Sequence, residues 1–135
     1  MKRRRTTPAE RKTEAELRAF RAEIASCMCC ERPLPGEALY CHEIARGCHR
    51  AKARGKRFAT LVLCFTCHNE MDSAAQWPLP RQLALLRLRN ARDYDLRAFN
   101  ELLWGAPHTI EPKEVNLELY RLLRAGHTRD RERMK

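Results

Sequence analysis

Two pairs of cysteines constrain the fold of this chain more than any other feature of its sequence. Cys27 and Cys30 form one Cys-x-x-Cys pair, and Cys64 and Cys67 form the second. A two-residue spacer lets the backbone turn around an ion, so that each pair offers two thiolates to one tetrahedral Zn²⁺. A chance cluster of buried small residues is the alternative, but paired spacing on both sides favours a structural zinc site. Cys29 offers a competing register, although adjacent cysteines cannot chelate an ion with this knuckle geometry.

The rest of the composition indicates where such a chain works. No run approaches the ~20 apolar residues of a membrane span, and no apolar stretch follows the basic N-terminus. We therefore expect a cytoplasmic protein without membrane association, whose seven cysteines are thiols or metal ligands rather than disulfides. The formal net charge is +10. Such a surplus favours polyanions, because each phosphate contact releases a bound counterion, although a merely basic protein would also show it.

The hydrophobic pattern predicts a small α+β protein. Thr13 and Glu16 have the spacing of a capping box, which predicts a helix leading into the first cysteine pair. Strands predicted at residues 37–45 and 60–63, with a short helix after the second cysteine pair, make a ββα finger stabilised by zinc. About three C-terminal helices follow from leucine periodicity, with their leucines in the core. They are predicted at residues 81–92, at about 96–103, and from Pro112 to Gly126.

These elements divide the chain into four segments. A disordered basic arm is predicted over residues 1–12, and the zinc-bound finger with its leading helix over residues 13–76. A helical extension over residues 77–128 and a charged tail over residues 129–135 complete the chain. The sequence does not distinguish whether the extension packs on the finger, contacts DNA or forms a dimer.

Histidines stand at two places that a ββα unit would bring together. His42 lies in the first predicted strand, and His68 directly follows the second cysteine pair. If both strands lead into a helix that begins near Cys67, the two imidazoles converge on one side of the finger. One can then deprotonate water while the other holds a divalent metal, because a pKa of about 6.5 leaves neutral nitrogen available at physiological pH.

The order of these motifs resembles that of the HNH endonucleases, the ββα-metal or His-Me finger family, with a four-cysteine zinc site. Cys-x-x-Cys, His-Glu-Ile-x-x-Gly and Leu-Cys-x-x-Cys-His follow one another over residues 27–72, similar to the recombination endonuclease VII group. The resemblance implies metal-dependent hydrolysis of phosphodiester bonds in DNA. It makes His42 the general base and His68 a ligand of the catalytic Mg²⁺ or another divalent metal. The four paired cysteines would then be structural only.

Two positions depart from the family pattern. Cys41 precedes His42, where the family usually has an Asp or His that binds the catalytic metal. A thiolate there would favour a softer ion such as Zn²⁺, and Glu43 or His49 is the alternative second ligand. The Asn that supplies the middle letter of the family name is also absent. The residues near its expected place are Ala59 and Thr60.

A basic segment follows the first histidine and is predicted to be a loop. In a nuclease it would clamp the phosphate backbone beside the scissile bond, whereas the alternative is a solvated flexible loop. Such contacts position the strand without reading its sequence. The candidate residues are Arg46, Arg50, Lys52, Arg54, Lys56 and Arg57.

Two other functions fit the same residues. A non-catalytic zinc-containing module would bind nucleic acid without cleaving it, which the absent Asn and Cys41 favour. A protein that binds a protein partner through its C-terminal helices would show no salt-dependent affinity for nucleic acid. For the nuclease, the expected substrate is duplex or branched DNA, and the pattern does not separate DNA from RNA. A homodimer would place two active sites for cutting opposed strands, and the sequence leaves this open.

Overall fold

The structure, a computed structural model, describes residues 5–45, 49–72, 77–103 and 109–127. Within these ranges the chain forms six α-helices and one two-stranded sheet, which confirms a small α+β protein. None of the described helices is both long and apolar enough to cross a membrane. The elements in chain order are α1 (Pro8–Ile24), β1 (Tyr40–Glu43), α2 (His49–Ala53), β2 (Thr60–Leu63), α3 (Phe65–Asp72), α4 (Leu79–Arg89), α5 (Leu96–Leu102) and α6 (Pro112–Arg124).

Helix α1 begins earlier than the sequence pattern predicted. A disordered arm was expected over residues 1–12 and a helix start at Thr13, whereas the helix begins at Pro8. The hydroxyl of Thr7 accepts a hydrogen bond from the amide of Glu10 at 3.1 Å. Proline suits the first helical turn, because its fixed φ is helical and its missing N–H would have no partner there. The Thr-Pro pair therefore starts the helix, and the expected arm is too long.

Strands β1 and β2 pair antiparallel, and β2 leads into α3. His42 pairs with Leu61 in the register of the two strands, and Tyr40 pairs with Leu63. Successive side chains of a strand point to opposite faces. His42 is therefore turned into the protein, with 4% of its surface exposed, while Cys41 faces the other side and is half-buried.

Only the central part of the strand predicted at residues 37–45 pairs with β2. A 3-10 turn at Gly36–Ala38 packs against α1 and takes up the first two residues of the predicted strand. A Cβ atom at Gly36 would lie 3.1 Å from the backbone nitrogen of Ala22, so a larger residue would force the two segments apart. This close approach holds the start of β1 beside α1.

The C-terminal helices pack on the sheet and on one another. Helix α4 contacts both β2 and α6, so it lies between them. The leucine face predicted for α4 is buried, whereas on α6 Val115 and Leu122 are buried but Leu123 is exposed. Helix α6 begins at Pro112 as predicted, and Gly126 follows its end with a φ of +95°. The largest apolar side chains of this shared core include Phe20, Leu61, Leu63, Leu83, Leu85, Leu86 and Phe99.

Candidate metal centres

The four paired cysteines lie together, and we refer to them as the four-cysteine cluster. Cys27 and Cys30 come from the turn after α1, and Cys64 and Cys67 from the junction of β2 and α3. Their Sγ atoms all lie within 4.8 Å of one another, and those of Cys30 and Cys64 are 4.0 Å apart. A tetrahedral Zn²⁺ with Zn–S bonds of about 2.3 Å places its sulfur ligands about 3.8 Å apart. The cluster therefore has the composition and spacing of a structural zinc site.

Hydrogen bonds from two elements hold the first cysteine pair in place. The amide of Met28 donates to the carbonyl of Val62 on β2 at 2.8 Å. From α4, the Nε of Arg89 donates to the carbonyl of Met28 at 2.7 Å. The turn itself closes through the amide of Glu31, which donates to the carbonyl of Cys27 at 2.8 Å. The first pair is thus fixed against β2, the strand that carries the second pair at its end.

Crowding of the thiols affects their protonation. Burial raises the pKa of Cys27 and of Cys67. Burial acts in the same direction on Cys64, but a hydrogen bond from the Cys67 amide and others from neighbouring thiols outweigh it and lower the pKa to about 7. Cys29 lies outside the cluster, and burial raises the pKa of its thiol to about 11. Because four thiolates coexist only around a cation, metal binding would displace the remaining protons.

A second group, the histidine–aspartate cluster, consists of His42, His68 and Asp72. Their potential ligand atoms lie within 4.8 Å of one another. The Nδ1 atoms of the two histidines are 3.3 Å apart, and the Asp72 carboxylate lies 3.8 Å from His42 Nδ1 and 3.7 Å from His68 Nε2. Both histidines were predicted from the sequence, whereas Asp72 was not. The available signal was its position four residues after His68, one turn along a predicted helix.

Gln82 of α4 fixes the orientation of His42. Its Oε1 lies 2.9 Å from His42 Nε2, while its own Nε2 donates to the carbonyl of Trp77 at 2.9 Å. Since the amide nitrogen of Gln82 is engaged elsewhere, its oxygen must accept the Nε2–H of the imidazole. The neutral His42 ring then carries its lone pair on Nδ1, which faces His68 and Asp72. Burial lowers the pKa of His42, against the opposing effect of the Gln82 hydrogen bond, and so favours this neutral form.

Cys41 does not join the two histidines. Its Sγ lies 3.6 Å from Nη1 of Arg21 and 3.9 Å from the carbonyl of Leu17, both on α1. The alternation of β1 explains this position, since neighbouring side chains of a strand point to opposite faces. Among the described residues, the histidine–aspartate cluster also contains neither Glu43 nor His49, the alternatives that the sequence offered.

The basic segment is more ordered than the expected loop, because it contains α2 and a 3-10 turn at Arg57–Ala59. Three of its arginines form ion pairs. Arg50 pairs with Asp72 at 3.0 Å, Arg54 with Glu14 at 2.6 Å and Arg57 with Glu23 at 2.7 Å. Lys52 and Lys56 are exposed, and Arg46 lies outside the described residues. Surface ion pairs of this kind contribute only about 0–1 kcal/mol, so a phosphate could compete for these arginines.

The pair between Arg50 and Asp72 should oppose metal binding at the histidine–aspartate cluster. Arg50→Ala is expected to tighten the binding of Mn²⁺ about two- to fivefold, because an exposed ion pair contributes up to ~1 kcal/mol. Isothermal titration calorimetry of the zinc-loaded protein would measure this change. Lys52→Ala removes a charge from the same helix without touching Asp72, and should leave the affinity unchanged. Equal effects of both substitutions would show that general charge, and not this pair, controls the site.

Comparison of the chain with protein-family models, with curated proteins and with solved structures gives no match to any of the three.

Proposed function

We propose that this chain is a metal-dependent endonuclease that hydrolyses phosphodiester bonds in DNA, built as an HNH-type ββα-metal finger on a structural zinc site. The observation that supports this most strongly is the histidine–aspartate cluster, whose three side chains converge within 4.8 Å. Hydrolysis needs a base for the attacking water and ligands for a metal beside the phosphate. The cluster offers both in one place, on β1 and on α3.

In this proposal His42 is the general base and acts through Nδ1. Its Nε2–H is donated to Gln82, so Nδ1 holds the lone pair that accepts a proton from the attacking water. His68 and Asp72 would hold the divalent ion, through a nitrogen and a carboxylate oxygen. When bound, that ion polarises the phosphodiester and stabilises the charge that develops on the leaving oxygen.

The position of Asp72 changes the expected metal preference. Had Cys41 been a ligand, its thiolate would have favoured a soft ion such as Zn²⁺. A carboxylate beside an imidazole suits Mg²⁺ or Mn²⁺ better, because harder ions prefer oxygen ligands. We therefore propose Mg²⁺ or Mn²⁺ for the histidine–aspartate cluster and Zn²⁺ for the four-cysteine cluster.

Gln82 supports the assignment of the base, since its side-chain amide orients the imidazole of His42. The residues near the expected place of the family Asn, Ala59 and Thr60, have no amide side chain. Gln82 reaches the imidazole from α4, which packs against β2. An outer hydrogen bond of this kind orients a histidine and selects its tautomer.

The proposal can be tested by assaying cleavage of supercoiled plasmid and of a four-way junction. Mg²⁺, Mn²⁺ and Zn²⁺ are tested separately. Asp72→Asn should lower the Mg²⁺-dependent rate at least about tenfold, because even the loss of an outer-shell partner of a metal ligand costs about 10- to 100-fold. Glu70→Gln is the matched control, since it neutralises an exposed carboxylate on the same helix, outside the cluster. Its rate should stay close to that of the wild type.

Two results would contradict the proposal. Equal rates for Asp72→Asn and Glu70→Gln would remove Asp72 from the metal site. If the wild type binds DNA but cuts no substrate with any of the three ions, the chain is instead a non-catalytic zinc-containing nucleic-acid-binding module.

A further inference from the structure

A cleft of about 300 Å³ adjoins the histidine–aspartate cluster. The proposed hydrolysis does not use this cleft. It opens between α1 and β1, and the side chain of His68 forms part of its wall. Arg21, Arg54 and Glu14 line it with charged groups, and Tyr40 lines it with an aromatic ring. A ligand in this cleft would lie next to a proposed metal ligand.

Arg21 is suited to bind an anion here. Its Nη1 contacts the Sγ of Cys41 at 3.6 Å, and in the described part of the chain it pairs with no carboxylate. Arg54, in contrast, is paired with Glu14 at 2.6 Å. A half-buried guanidinium whose side-chain partner is a thiol retains N–H donors for a phosphate, which arginine binds in bidentate fashion.

Tyr40 shares the cleft with this arginine, and a second exposed aromatic ring lies next to Tyr40. Tyr40 is 44% exposed and Phe65 60% exposed, and their ring centroids are 6.0 Å apart. The ring of Tyr40 also lies parallel to that of His68, at 5.7 Å and 3°. Exposed rings next to a cation are the two components of single-strand recognition, because bases stack on aromatic faces while the cation binds the backbone.

We propose that the cleft and the two rings form a subsite for an unpaired nucleotide of single-stranded DNA. Arg21 binds its phosphate, and its base stacks on the ring of Tyr40 with an edge against Phe65, because the two rings are tilted by 54° to each other. The inference rests on the proposed nuclease function, since the subsite would present the adjacent phosphodiester to the histidine–aspartate cluster. A base inside a duplex is already paired and stacked, so it cannot reach the rings. The substrate is therefore DNA that is single-stranded beside the cleaved bond.

Fluorescence anisotropy in the absence of added divalent metal tests the subsite. The probes are a labelled oligothymidine of about 12 nucleotides, a length within the usual site size for single strands, and a labelled duplex of equal length. Arg21→Ala should weaken single-strand binding about tenfold and reduce the slope of log K against log salt by about 0.7, the value for one phosphate contact. Tyr40→Ala should weaken it about five- to tenfold with an unchanged slope. Tyr40→Phe keeps the ring and should bind normally. Arg97→Ala, which removes a 93% exposed charge outside the cleft, should change neither quantity.

Each variant is first checked for zinc content and for its thermal midpoint. Phe65→Leu provides a second aromatic substitution at a more exposed position if Tyr40→Ala lowers that midpoint. Unchanged binding in Arg21→Ala, or a duplex bound as tightly as the single strand, would overturn the subsite. The binding assay contains no added divalent metal, so it does not depend on cleavage. If the variants bind as expected but the wild type cuts no DNA in the cleavage assays, the nuclease function is refuted and the subsite is retained. If the wild type cuts DNA but Arg21→Ala and Tyr40→Ala bind single strands normally, the subsite is refuted and the nuclease function is retained.

Discussion

Removal of zinc with a strong chelator is expected to unfold the centre of this chain and to abolish its cooperative thermal transition. Structural zinc contributes about 10–16 kcal/mol in zinc-finger peptides at neutral pH. This is as large as the entire stability of a typical domain, about 5–15 kcal/mol. The four-cysteine cluster joins the turn after α1 to the end of β2 and the start of α3, and within the described residues the sheet has two short strands. The hydrogen bonds of Met28 and the apolar core also join these segments, but loss of a contribution as large as that of zinc should exceed what they can offset.

A pair of cysteine substitutions distinguishes a zinc effect from a general thiol effect. Cys64→Ser should lose most of the bound zinc and most of the far-UV circular dichroism transition. Cys41→Ser is the matched control, because its thiol lies outside the four-cysteine cluster, against Arg21 of α1. It should retain one zinc ion per chain by elemental analysis, with a change in stability of at most about 0.5 kcal/mol. One retained zinc ion and an unchanged midpoint in Cys64→Ser would contradict the proposed site.

The second large effect is expected at the general base. His42→Ala should lower the rate of DNA cleavage about 10²- to 10⁴-fold, which is the usual contribution of a positioned acid or base. Binding of the same DNA in the absence of metal should change little, since the imidazole is buried at 4% exposure and does not line the cleft. Rates measured under single-turnover conditions would separate this chemical defect from slow product release.

Substitution of Gln82 provides the graded comparison. Gln82→Ala leaves the imidazole in place but removes the acceptor of its Nε2–H, so we expect a smaller loss of about 10- to 100-fold. The two substitutions should not be additive, because Gln82 acts only through His42. If adding Gln82→Ala to His42→Ala slows cleavage by the same factor as Gln82→Ala alone, Gln82 acts elsewhere than through His42. A His42→Ala protein that cuts as fast as the wild type would exclude His42 as the base.

The four candidate cysteine ligands could be grouped from the sequence because a zinc knuckle is a local structure. A two-residue spacer brings both sulfur atoms of a pair to one ion whatever the surrounding fold is. The strand at Thr60–Leu63 and the helix from Pro112 were also predictable, from an apolar run and from proline at a helix start. The same local rules would have placed the start of α1 correctly had Thr7-Pro8 been given precedence over Thr13.

Cys41 and Asp72 mark the limit of such local reasoning. Position along the chain put Cys41 next to His42, but the alternation of β1 sends the two side chains to opposite faces. Asp72 lies four residues beyond His68, and only the continuation of α3 to its last residue brings it to the histidines. Adjacency in sequence was therefore a poorer guide than helical and strand geometry.

The sequence by itself determined which side chains could bind zinc and which imidazoles were available near them. The tertiary structure alone decided what surrounds those imidazoles. Gln82 reaches His42 over 40 positions of chain because α4 packs against β2, and Arg21 reaches the cleft because α1 packs against the start of β1. Such contacts depend on how buried apolar faces dock, and a pattern of residues along one element does not specify its neighbour.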